Sequence, residues 1–117
     1  MAGYATPLTQ ALGGTCGKIV TGTKTVTTAG TAVQVTTTQT PIGGVWVAAD
    51  MGGGVIVVGD SSVKAANSSQ RGVVLTPGNP STFIPINDLS LLWADSQTSG
   101  DKLCYAYVQP IVGSFLA

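Results

Sequence analysis

Val55-Ile56-Val57-Val58-Gly59-Asp60-Ser61-Ser62 opens the stretch on which the fold turns, and that stretch runs on to Ile86. Four β-branched residues end abruptly at Gly59-Asp60. A polar loop leads to a second apolar run, Gly72-Val73-Val74-Leu75, then to the turn Thr76-Pro77-Gly78-Asn79-Pro80 and a third run, Thr82-Phe83-Ile84-Pro85-Ile86. Short β-branched runs closed by Gly, Asp, Asn and Pro are strand and turn signals; a helix needs a longer segment with a 3.6-residue period. The block therefore predicts antiparallel β-structure.

The flanking segments follow the same grammar. Half of the residues from Thr21 to Thr40 are threonine, whose stiff χ1 suits a pleated, half-wet surface better than a helix. Ala29-Gly30 divides this run into strands expected at 25–28 and 31–38. Pro41 with Gly43-Gly44 predicts a turn. In Val45-Trp46-Val47-Ala48-Ala49 the alternation puts Val45, Val47 and Ala49 on one face and Trp46 and Ala48 on the other. Asp50-Met51-Gly52-Gly53-Gly54 reads as a hairpin tip whose glycines permit positive φ. Asp88 to Asp95 is expected as a strand with Leu89, Leu91 and Trp93 on one face, a short helix being the competing reading. Lys102 to Gln109 sets Leu103, Tyr105 and Tyr107 against the small Cys104, Ala106 and Val108. Such a split suggests one face meeting an opposing sheet and the other packed against something else.

Strands this short, at spacings of about ten residues and without a convincing helix, indicate an all-β chain: a single antiparallel β-sandwich or jelly-roll-like domain. The expected organisation is an extended N-terminal arm over residues 1–24, the sandwich over 25–110 and an apolar C-terminal tail over 111–117. The arm is rich in Gly, Thr and Ala with apolar anchors at Tyr4, Leu8, Leu12 and Ile19 and no strand period. A disordered leader is the alternative reading of it.

The chain of 117 residues is 44% hydrophobic and 9% charged, with five basic and five acidic residues. Typical soluble domains carry about 25% charged residues. A neutral, charge-poor surface argues against electrostatic binding to nucleic acid or to an anionic membrane, and it offers little protection against self-association. Coverage by other protein reconciles such a surface with solubility. No apolar run reaches the roughly eighteen residues of a membrane-spanning helix. The start, Met1-Ala2-Gly3-Tyr4, has no basic region and no apolar core, so no secretory leader is expected. A disulfide between Cys16 and Cys104 is one reading of the two cysteines. Two reduced thiols, with Cys104 as small core filler, fit better with the absence of a leader.

Catalytic chemistry finds few tools here. The sequence holds no histidine and no glutamate, and its acids are Asp50, Asp60, Asp88, Asp95 and Asp101. Each lies in or beside an expected turn, where aspartate commonly accepts hydrogen bonds from backbone amides. Gly59-Asp60-Ser61 after an apolar strand looks like the nucleophile block of the Gly-Asp-Ser-Leu esterases. That family requires a downstream histidine and a much longer α/β fold, so a turn closing a strand is the better reading. Gly13-Gly14-Thr15-Cys16-Gly17-Lys18 lacks the spacing of a phosphate loop, and Ile19 stands where Ser or Thr would hold the metal. Neither cysteine has a histidine to raise its thiolate. No cluster has metal-ligand spacing. Trp46, Trp93, Tyr105 and Tyr107 could stack on a sugar or base, although core packing is the ordinary fate of such residues. No catalytic residue, cofactor or metal is therefore expected, and the chain is not expected to be an enzyme.

Four stretches are together similar to small β-sandwich virion proteins of tailed bacteriophages. They are Val26-Thr27-Thr28-Ala29-Gly30-Thr31-Ala32-Val33-Gln34; Val57 to Val63; Leu75-Thr76-Pro77-Gly78 with Ile84 to Leu89; and Asp101 to Val108. The likeness covers about residues 25–109. It implies a β-sandwich, often a homotrimer, that serves as a capsid decoration (cement) protein on the major capsid protein or attaches to a head fibre or tail. It implies location on the capsid surface of a virion assembled in the host cytoplasm, with no nucleic-acid or membrane partner. The alternative is a receptor- or carbohydrate-binding module of a fibre or tail. Candidate interface residues are the apolar anchors of the two ends: Tyr4, Leu8, Leu12, Ile111, Val112, Phe115 and Leu116.

Overall fold

The computed structural model describes residues 17–110, which form eight strands and two 3₁₀ turns. The strands are β1 (Gly17–Thr25), β2 (Val33–Gln34), β3 (Val45–Ala49), β4 (Ile56–Gly59), β5 (Val73–Leu75), β6 (Thr82–Ile84), β7 (Trp93–Ser96) and β8 (Lys102–Pro110). They make two four-stranded sheets, ordered β1-β8-β3-β6 and β2-β7-β4-β5, and every pairing is antiparallel. The pairs β1·β8, β2·β7, β3·β6 and β4·β5 are those of one long ribbon folded over on itself. That is the jelly-roll form of the sandwich. Among the described residues no helix is long and apolar enough to cross a membrane.

The core between the sheets follows from alternation. Val45, Val47 and Ala49 of β3, Ile56 and Val58 of β4, Leu75 of β5, Ala94 of β7 and Leu103 of β8 all point inward and are buried. Loop residues Val26, Val35, Ile42, Leu89 and Leu92 close its ends, with Ile84, Tyr105 and Tyr107 packed partly against it.

Several local expectations need correction. Residues 17–24, expected as irregular arm, supply most of β1, which pairs with β8 from Gly17↔Pro110 to Thr25↔Lys102. The strand carries little apolar alternation because it is a sheet edge; continuous pairing with β8 sets its conformation instead. Residues 17–24 thus belong to the sandwich, and residues 1–16 and 111–117 lie outside the described residues.

Beyond Thr25, where β1 ends, the threonine-rich segment gives only β2, where strands 25–28 and 31–38 were expected. Side chains take the ladder's place there. The amide of Ala29 donates to Ser99 Oγ, that of Gly30 to Asp95 Oδ1 and that of Thr40 to Asp88 Oδ1.

Leu89 and Leu91 do not share a strand face. Asp88 caps a 3₁₀ turn over Leu89–Leu91 by accepting from the Ser90 amide, so Leu89 and Leu92 are buried and Leu91 is exposed. Residues 50–54 are not a hairpin tip either, since β3 and β4 belong to different sheets and the loop crosses between them. None of Gly52, Gly53 and Gly54 has positive φ. The small size of Gly53 and Gly54 instead lets Asp101 approach, its Oδ2 accepting from the Gly54 amide at 3.0 Å.

Candidate functional site

The two sheets treat their outer faces differently, and the difference locates the site. On the second sheet, Val57 points away from the core yet is fully buried. Val63 and Ala65, from the loop after β4, lie over it together with Ala32, Val55 and Trp93, although Val74, its neighbour on the edge strand β5, stays 45% exposed. Asp95, paired with Val57 across β7 and β4 and only 1% exposed, fastens this cover. Its Oδ1 accepts from the Gly30 and Ser96 amides and its Oδ2 from the Ala65 amide, each at 2.9 Å. The cover is itself pinned by paired backbone bonds between Lys64 and Arg71.

The first sheet has no such cover among the described residues. Register puts Ile19 beside Val108, Thr21 beside Ala106 and Thr23 beside Cys104. It puts Trp46 beside Ala106 on one side and Phe83 on the other, and Ala48 beside Cys104. All of these point outward, because their neighbours in sequence point into the core. Ile19 is 69%, Trp46 49% and Phe83 42% exposed. A shallow groove of about 450 Å³ runs along Thr21, Thr23, Trp46, Ala48, Ser81 and Ala106, with the half-buried Cys104 on its floor.

Trp46 and Phe83 are held rather than splayed. Their ring centroids lie 4.9 Å apart at 54°, a tilted arrangement of the favourable kind. The Phe83 ring rests on Gly44, whose φ of +118° suits glycine and where a Cβ would collide with the ring. Thus the turn glycine before β3 also seats an aromatic of β6. The groove around Trp46 is lined by no ionised group, while Lys102 and Asp50 stand at the end of the face next to Cys104; burial first, then the Asp50 carboxylate, push that thiol's pKa up against the opposing pull of Lys102. A protonated thiol among alanines and threonines adds no charge.

The aspartates are used structurally. Asp60 Oδ1 accepts from the Ser62 amide and hydroxyl, and these bonds hold its carboxyl below the usual range. Gly59-Asp60-Ser61-Ser62 is an exposed turn closing β4, as its residues predict. Asp88 is depressed mainly by the Thr40 amide and next by Ser90. Cys104 lies on the outer face, a place that filler of the main core would not take.

The end residues chosen as interface candidates, Tyr4, Leu8, Leu12, Ile111, Val112, Phe115 and Leu116, lie outside the described residues. The exposed face built by Trp46, Phe83, Ala48, Cys104, Ala106 and Val108 was not among those candidates. Its signal was present in the alternation of 45–49 and 102–109, which assigns Trp46 and Ala48, and Cys104, Ala106 and Val108, to faces away from the core. No protein-family model, no curated protein and no solved structure matches this chain.

Proposed function

We propose that this chain is a structural virion protein: a capsid cement or decoration protein that binds the major capsid protein lattice and sister copies and stabilises a phage head. The observation that carries the reading is the exposed Trp46–Phe83 patch and its uncharged groove on the outer face of β1-β8-β3-β6. Bare faces of this kind mark protein-binding sites. Burying what remains exposed of Trp46 and Phe83 would remove about 200 Å² of apolar surface, worth roughly 5 kcal/mol before the costs of association. One such contact is weak. Repeated over a lattice, it becomes strong without any further chemistry. The likeness to tailed-phage virion proteins and the low charge of the whole chain point the same way, and jelly rolls serve in viral capsids.

Jelly rolls also serve as lectins, and the exposure of Trp46 favours that second reading, a carbohydrate-binding module of a fibre or tail. The lining weakens it. Around Trp46 stand Thr, Ala and Ser side chains with no carboxylate or carboxamide to fix a sugar's hydroxyls. The tilted Phe83 also breaks a flat stacking platform.

Purified particles of the phage encoding the chain, imaged by electron microscopy, should carry it in many copies on the head surface. Heads without it would overturn the proposal. Specific glycan binding that is lost in Trp46→Ala would favour the second reading.

A further inference from the structure

The outer face of the first sheet needs an occupant, and its size limits the choice. β1 and β8 pair over nine residues, about 30 Å, whereas β3 and β6 are shorter, so at about 4.8 Å per strand the face measures about 400 Å². A stable interface between two folded proteins takes about 800 Å² from each. Face-to-face pairing of two sandwiches through this patch alone therefore falls short. An extended peptide of seven residues, about 23 Å long and about 10 Å wide with its side chains, fits it.

The sequence contains such a peptide. Ile111-Val112-Gly113-Ser114-Phe115-Leu116-Ala117 follows directly on β8 and carries no charged side chain. It is rich in large apolar residues, which suits the uncharged lining of the groove.

Reach decides whose face it takes. β8 is extended to Pro110, which pairs with Gly17 at the end of the sheet, four residues beyond the Ala106 that pairs with Trp46. To cover its own Trp46, the tail must climb past Ile19 and Val108 to a layer about 10 Å above the sheet and then return about 13 Å. The straight line is about 16 Å, so Phe115, fifth after Pro110 with about 17 Å of chain, reaches that point only fully stretched and cannot lie along the groove. A neighbouring sandwich presents the same face without that reversal.

We propose that residues 111–117 of a second copy dock on the outer face of the β1-β8-β3-β6 sheet, with Phe115 and Leu116 over the Trp46–Phe83 groove. This deepens the assembly reading above and rests on it, naming the sister-copy contact. The test uses the purified chain alone, so it can succeed or fail whether or not the chain binds a capsid.

The probe is alkylation of Cys104 by a maleimide in a Cys16→Ser chain, followed from dilute to concentrated solution alongside sedimentation. The full chain should associate as concentration rises, with labelling slowing about tenfold in step with the bound fraction. A chain ending at Pro110 should stay monomeric and label at the dilute rate throughout, with an unchanged far-ultraviolet circular dichroism spectrum. The double variant Phe115→Ser, Leu116→Ser should behave like the truncation, which guards against disturbance of β8. Protection of Cys104 that does not vary with concentration would overturn the proposal, and so would its absence at every concentration. Concentration-dependent protection that survives truncation would also overturn it, pointing to residues 1–16 or to face-to-face pairing.

Discussion

The outer faces of the two sheets are built from similar residues and meet opposite fates. Val57 on the second sheet and Ala48, Ala106 and Trp46 on the first all point away from the central core. Val57 is sealed by the chain's own loop, with Asp95 binding three backbone amides to keep that loop in place. Trp46 and Phe83 are left half exposed, with a blank surface around them. A sandwich that invests a buried carboxylate to close one face has the means to close the other. That it leaves the other open is the reason to read it as an interface, and it separates residues that matter for folding from residues that matter for assembly.

Asp95→Ala should break that comparison most severely. Three amides lose their acceptor at a buried site, and unsatisfied donors of this kind cost about 1–3 kcal/mol each. Because the Gly30 turn can regain water, the expected loss is about 3 kcal/mol in urea unfolding. Val57→Ala should follow at about 2 kcal/mol, the transfer of two methyl groups plus a small cavity. Trp46→Ser should cost the isolated chain at most about 1 kcal/mol, mainly its pairing with Phe83, yet should abolish association in sedimentation. If Trp46→Ser unfolds the chain as readily as Asp95→Ala does, the distinction between the faces fails.

Asp60 and Asp88 have carboxyl pKa values below the usual range, the former held by Ser62 and the latter chiefly by the Thr40 amide. A depressed carboxyl contributes stability above its unfolded value near pH 4, and that contribution is lost as pH falls through the folded value. Thermal midpoints should therefore drop below about pH 4, and Asp88→Asn should flatten part of that acid limb. The smallest effect belongs to Cys104, whose raised pKa has the opposite sign. Its contribution is complete below the thiol's ordinary value and fades only as the solution becomes strongly alkaline, so Cys104→Ala should alter the alkaline limb alone.

Much of this fold was legible in the residues. Strands β3, β4, β5 and β8 are closed by Gly, Asp or Pro, and their inward and outward faces follow strict alternation, so all-β architecture and the core face of Val45-Val47-Ala49 could be read directly. β1 could not. Its threonines and lysines alternate too weakly to declare a strand, and the partner that orders it lies about 80 residues away in β8, as long-range pairing in a sheet allows. The 3₁₀ turn at Leu89–Leu91 depends on Asp88 choosing the Ser90 amide, a competition that spacing alone does not settle. The candidate site was half legible. Alternation showed which residues leave the core, but only the path of the loop after β4 reveals that Val57 is sealed and Trp46 is not.

The central claim is that Trp46 on the first sheet's outer face is covered by assembly while Val57 on the second sheet's is covered within the chain. The most direct measurement is acrylamide quenching of Trp46 in a Trp93→Phe chain, free and assembled. Quenching should be efficient in the free chain and fall several-fold on assembly, and Trp93 in the converse Trp46→Phe chain should change little between the two states. Equal quenching of Trp46 in both states would contradict the account.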